Sequence, residues 1–141
     1  MSSVISSIEK IYDDLIGREG YRIQTTNKGY IHINISNSQN CCESWYTNAL
    51  KNKQNVDGVL DEMIGKKIVD IQKSDVTVDE DTGYDEFAYF VNITITFEND
   101  EFPLIICLYN QHNGFYRHEC MLDWNVTIDK KSFVLCETVY I

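Results

Sequence analysis

Apolar residues recur along this chain with two different periods. Between Ser3 and Ile16, the residues Val4, Ile8, Ile11, Tyr12 and Leu15 are spaced by threes and fours and Gly17 follows as a stop, so the spacing predicts an amphipathic helix over 3–16. From Tyr21 the period becomes two. Ile31, Ile33 and Ile35 alternate with Tyr30, His32 and Asn34, the pattern of a strand with one buried face. The stretch Asn48 to Asp57, rich in Asn, Lys and Gln, reads as a loop, and Val59 to Ile64 as a short second helix closed by Gly65. Lys66 to Val78 predicts a further strand, and the strongest β signal follows where Val91, Ile93, Ile95 and Phe97 alternate with Asn92, Thr94, Thr96 and Glu98. A hairpin tip at Asn99-Asp100-Glu101 leads into Phe102 to Tyr109, which is apolar on both faces and therefore central, with Pro103 confined to its start. A turn over Asn110 to Gly114, an alternating strand from Phe115 to Val126 and a closing strand from Phe133 to Tyr140 complete the pattern. The expected fold class is α+β: a mostly antiparallel, meander-like sheet with one N-terminal amphipathic helix and a short second helix. The expected organisation is a single domain over 1–141, with helix 3–16 packed on a β-rich body at 21–141.

Composition supports one real core: 141 residues, 43% of them apolar and 12% aromatic, exclude a disordered acidic chain. No apolar run approaches the roughly 18 residues that span a bilayer, and the first residues, MSSVISSIEKIYDDL, carry neither a basic leader nor a continuous apolar segment, so the expected location is the cytosol. Five cysteines, Cys41, Cys42, Cys107, Cys120 and Cys136, are an odd number and read as reduced thiols there. The formal charge of −10 is unevenly placed: residues 1–70 carry eight bases and nine acids, and 71–141 carry four bases and thirteen acids. Nine acids and no base lie between Asp75 and Glu101. That stretch is read either as a solvated loop with hairpin tips that discourage edge pairing or as a surface for a basic partner. So acidic a chain repels phosphate backbones, and neither nucleic acid nor a membrane is expected as a partner.

No phosphate loop, paired Cys-x-x-Cys, His-Glu-x-x-His or Gly-x-Ser-x-Gly signature is present. Two local clusters remain. Cys41-Cys42-Glu43-Ser44-Trp45-Tyr46 crowds thiols, a carboxylate and two aromatics after a turn, and neighbours on a strand point to opposite faces, so Cys41 and Cys42 would not serve one site. The second cluster runs from Tyr109 to Cys120 and concentrates His112, His118, Arg117, Asn110 and Asn113 around one turn; in a strand Tyr116, His118, Cys120, Leu122 and Trp124 would share a face. Three chemistries fit these residues, beside the plain alternative of a well hydrogen-bonded turn and core aromatics. His112, His118 and Cys120 with Cys42 or Glu43 have zinc-ligand chemistry without a zinc-module spacing. Cys42, activated by His112 or His118 and oriented by Glu43, would make a nucleophilic pair. A polar and aromatic pocket would stack a planar ligand on Trp45, Tyr116 and Trp124 and bind its anionic or amide edge with Arg117 and Asn113.

The chain resembles an uncharacterised small domain of bacteriophages and prophage-bearing Firmicutes. The resemblance is carried by Cys41-Cys42-Glu43-Ser44-Trp45, by Met63-Ile64-Gly65-Lys66-Lys67-Ile68, and by Asn110-Gln111-His112-Asn113-Gly114-Phe115-Tyr116-Arg117-His118. It spans about residues 20 to 125 and departs from the pattern at Phe115, where tyrosine is common, and by an added N-terminal helix and C-terminal strand. The resemblance implies no activity, but it implies a context: an accessory protein that counters host defence in the host cytosol. The expected function is therefore non-enzymatic sequestration of a small anionic, nucleotide-derived ligand by Cys42, Glu43, Trp45, Asn110, His112, Asn113, Tyr116, Arg117 and His118, with no cofactor and no metal. Two alternatives stand beside it: an acidic blocker of a basic host or defence protein, and a hydrolase built on Cys42, Glu43 and His112. A homo-oligomer is compatible with each.

Overall fold

Period two governs far more of this chain than its apolar spacing predicts. The computed structural model describes residues 3–38, 43–79 and 87–141. It is mostly β, which overturns the α+β expectation. The strands are β1 (Ile5–Asp13), β2 (Arg18–Thr25), β3 (Tyr30–Ser36), β4 (Ser44–Lys51), β5 (Gln54–Asn55), β6 (Ile68–Lys73), β7 (Thr77–Asp79), β8 (Phe87–Phe97), β9 (Leu104–His112), β10 (Glu119–Ile128) and β11 (Lys131–Tyr140). Among the described residues the sole helix is a 3-10 turn at Asp57–Met63, where the short second helix is expected, and Gly65 follows it with φ +91°.

The predicted N-terminal helix over 3–16 is strand β1, and the reason is a bulge. Ile5 pairs with Thr25 while Ser7 pairs with Gln24, so an extra residue is inserted and Ile5 and Ile8, three apart in sequence, both reach the core face. A bulged strand thus imitates helical spacing. Gly17, at φ +69°, does not stop a helix; it closes the turn that sends the chain back as β2. The Asn48–Asp57 segment is also more ordered than a loop: Asn48 lies within β4, and Asn52 and Lys53, both at positive φ, make the two-residue turn into β5.

A single meander-like sheet is likewise replaced by two sheets. One is five-stranded in the order β1-β2-β3-β10-β11, and the other six-stranded in the order β5-β4-β9-β8-β6, with β7 also paired to β8. The pairings between these strands are antiparallel. The central placement of Phe102–Tyr109 holds, because β9 lies between β4 and β8. Facing strands contribute one continuous core in which Ile23, Ile31, Ile33, Ile35 and Leu122 of the first sheet meet Ala49, Val91, Ile93, Ile106 and Leu108 of the second. Among the described residues no helix is long and apolar enough to cross a membrane.

Candidate functional site

The core face of β9 is apolar through Leu104, Ile106 and Leu108 and then turns polar at Asn110 and His112, all five being buried. Register carries this change across the sheet. Trp45 of β4 and Tyr89 of β8 lie opposite Asn110 on either side, and Phe87 lies opposite His112. From the other sheet His118 enters just before β10, on the same face as Cys120 and Leu122, and its ring lies 5.3 Å from that of Trp45. The same end of the two-layer core therefore collects Glu43, Trp45, Tyr89, Asn110, His112 and His118.

His118 is held at both ring nitrogens. Nδ1 lies 2.7 Å from the Ser36 carbonyl oxygen, which only accepts, so Nδ1 donates; Nε2 lies 2.8 Å from Glu43 Oε2. The Glu43 side chain has no exposed surface and that of His118 1%, so this is a fully enclosed pair. His112 is fixed differently. Its Nδ1 accepts the Gly114 N–H at 2.9 Å, which leaves the ring proton on Nε2, and its ring stacks on Tyr89 at 4.5 Å. Burial pushes the His112 pKa down, Arg117 and His118 adding to that effect against Glu43, so the ring is neutral at pH 7. The Asn110 amide N–H groups reach the carbonyls of Tyr116 (2.8 Å) and Ile141 (3.1 Å). Among the described residues, three buried polar atoms of the cluster have no hydrogen-bond partner: Trp45 Nε1, Asn110 Oδ1 and His112 Nε2.

The structure thus brings together Glu43, Trp45, Asn110, His112 and His118 from the two predicted clusters. Arg117 is exposed and lies at the rim, its guanidinium 5.8 Å from the centre of the Tyr89 ring. Tyr116 is half-buried and contributes its carbonyl to Asn110. Asn113 is exposed and spent on the turn, where its side-chain oxygen accepts the Phe115 N–H. Trp124 is no part of the cluster: it sits between Ile31 and Leu135 in mid-sheet and is buried in the core. Cys41 and Cys42 lie outside the described residues. Among the described residues no group of three or more His, Cys, Asp or Glu side chains is placed to hold a metal ion, and burial pushes the Cys120 thiol up to about 12, which disfavours a thiolate ligand. Tyr89 and Ser36 were not among the sequence candidates. Tyr89 was legible, since the alternation of Val91 to Phe97 carried back two residues puts it on the core face; the Ser36 contact, made by a carbonyl, was not.

No curated protein and no solved structure matches the chain. The sequence model of one family does, over residues 3–122. That stretch includes β1, so the N-terminal strand is part of the shared domain and not an addition to it, and it ends within β10, after His118 and Cys120. All the described members of the buried polar cluster fall inside it, and the chain belongs to this family, the domain of unknown function DUF7448.

Proposed function

We propose that the protein is a non-enzymatic, phage-type accessory protein that counters host defence by binding and sequestering a small, planar, nucleotide-derived ligand at the polar end of its two-sheet core. One observation carries the reading: Trp45 Nε1, Asn110 Oδ1 and His112 Nε2 are buried in one cluster without partners among the described residues. Buried polar atoms in native proteins are nearly always paired, and each unmet one costs about 1–3 kcal/mol. Here they form a set of two donors and one acceptor, flanked by aromatic rings, which suits the edge of a heterocycle or amide. Arg117 at the rim fits an anionic group on the same ligand. The phage context rests on the resemblance of the motifs alone.

The same geometry speaks against the hydrolase reading. A thiol needs a base with an open nitrogen, whereas both nitrogens of His118 are engaged and the second nitrogen of His112 carries its proton. The acidic-blocker reading keeps some support from Asp75, Asp79 and Glu101, which are exposed. It loses Asp100, which is paired with Lys51 and Lys66 at the β8–β9 tip, and Glu98, 3.3 Å from Lys67.

The test is calorimetric titration and thermal shift with mononucleotides, cyclic nucleotides and cyclic dinucleotides. One class should raise the melting temperature, and Trp45→Phe, which keeps a ring but loses the N–H, should weaken that ligand about tenfold. Flat titrations with every class would sink the sequestration reading. Salt-sensitive capture of a basic protein, lost on neutralising Asp75 and Asp79, would favour the blocker.

A further inference from the structure

On the face of the five-stranded sheet turned away from the core, β2 carries Gly20 between Arg18 and Arg22. A Cβ at Gly20 would lie 2.0 Å from the Ile33 carbonyl oxygen and 2.6 Å from the Asn34 Cα, so β2 and β3 meet here more closely than any side chain permits. Beside this close approach an open hollow of about 60 Å³ lies on the outer face. Gly20 is its floor. Ile11 of β1 and Asn34 of β3 lie directly opposite Gly20 on either side, Arg22 and His32 form the next cross-strand row, and Ile16 of the β1–β2 turn lines the same hollow.

Two buried polar atoms in this wall, His32 Nε2 and Asn34 Oδ1, have no hydrogen-bond partner among the described residues. Arg18 is engaged, donating to the Glu119 carbonyl and pairing with its carboxylate. Arg22 is not so held: its side chain is 48% exposed and its nearest carboxylate, Glu9, is 3.8 Å away and 62% exposed. An ion pair that loose and wet is worth little, so the guanidinium is open to a better-placed anion. Burial lowers the His32 pKa, the Arg22 charge adds to it and Asp123 opposes it; a neutral imidazole offers one N–H and one lone pair.

We propose that this glycine-floored hollow is a second binding site, separate from the buried cluster, for a small organic monocarboxylate with an apolar body. The planar fork of Arg22 matches a carboxylate, His32 and Asn34 meet the polar edge, and Ile11 and Ile16 cover the apolar part. One loosely held cation beside Glu9 suits a monoanion better than a phosphate dianion, and a bare anion would leave the isoleucine wall unused.

The test uses the full-length, 15N-labelled protein titrated with benzoate and, separately, with inorganic phosphate, followed by backbone amide shifts. Benzoate should shift the amides of Gly20, Arg22, His32 and Asn34 saturably. Arg22→Gln, at a half-exposed position where the fold is not at stake, should weaken it about tenfold, and phosphate should bind the unaltered protein about tenfold more weakly than benzoate. Absence of saturable shifts at these amides up to tens of millimolar, unchanged affinity in Arg22→Gln, or phosphate binding as tightly as benzoate would each overturn the assignment.

Discussion

At the scale of single residues the most demanding feature is the enclosed pair of Glu43 and His118. Two ionisable groups taken out of water are tolerated only while each satisfies the other, and here the Ser36 carbonyl completes the arrangement at the far ring nitrogen. Glu43→Ala removes one partner and strands the other, so urea unfolding should show a loss of about 3–5 kcal/mol. Glu43→Gln keeps an acceptor opposite Nε2 and should lose less, and an apolar replacement of both, Glu43→Leu with His118→Phe, should recover most of the loss. If Glu43→Ala is neutral, the pair does not hold this end of the core together. The sequence made Glu43 and His118 legible as candidates, since each sits in a cluster of chemistry-bearing residues, but it gave no sign of their partnership. They are 75 positions apart, and only pairing of β3 with β10 and of β4 with β9 defines where each of them lies. Asn113 is the opposite case: its contact is local, an Asn side chain folding back on its own turn, and residue type alone does not distinguish that from ligand binding.

At the scale of elements, regular alternation was readable and irregular pairing was not. β3, β8 and β9 follow from Ile31 to Ile35, Val91 to Phe97 and the two-sided apolar run before Tyr109, because in each the side-chain period is unbroken. β1 carries helix-like apolar spacing because its bulge inserts one residue between Ile5 and Ile8. The turns Asn52-Lys53 and Asp129-Lys130 take positive φ without a glycine, so the usual hairpin signal was missing at both. The strand assignment has a direct consequence for β1, which lies at the edge of its sheet and from Ile8 onward is paired with β2 on one side. Amide protons from Ile8 to Asp13 should alternate in native-state exchange, those directed at β2 slow and those directed outward fast. A run of successive protected amides over the same residues would restore the helix.

At the scale of the whole molecule, part of the charge asymmetry along the sequence is folded into pairs. Lys51, Lys66 and Lys67 of the nearly neutral first half bind Asp100 and Glu98 at the acidic β8–β9 tip. A second network ties the two sheets together: Asp57, at the start of the 3-10 turn, accepts from Lys10 Nζ (2.9 Å) of β1, from the Tyr21 hydroxyl (2.6 Å) of β2 and from the Ala49 N–H (3.0 Å) of β4. Burial, and then Asp57, push the Tyr21 pKa far up; burial works to lower that of Lys10, but the hydrogen bond and charge of Asp57 leave it raised. Both groups therefore keep their protons in the folded chain at pH values where the unfolded chain loses them. Their contribution to stability is complete below about pH 10 and declines as pH rises further, by about 1.4 kcal/mol per pH unit for each fully shifted group. Tyr21→Phe removes one of the two protons and one hydrogen bond to Asp57. It should lower stability near pH 7 by about 1–2 kcal/mol and yet make the decline between pH 10 and 12 shallower, measured by denaturant unfolding across that range. An unchanged alkaline slope would mean that the Tyr21 proton is not held by the join between the sheets.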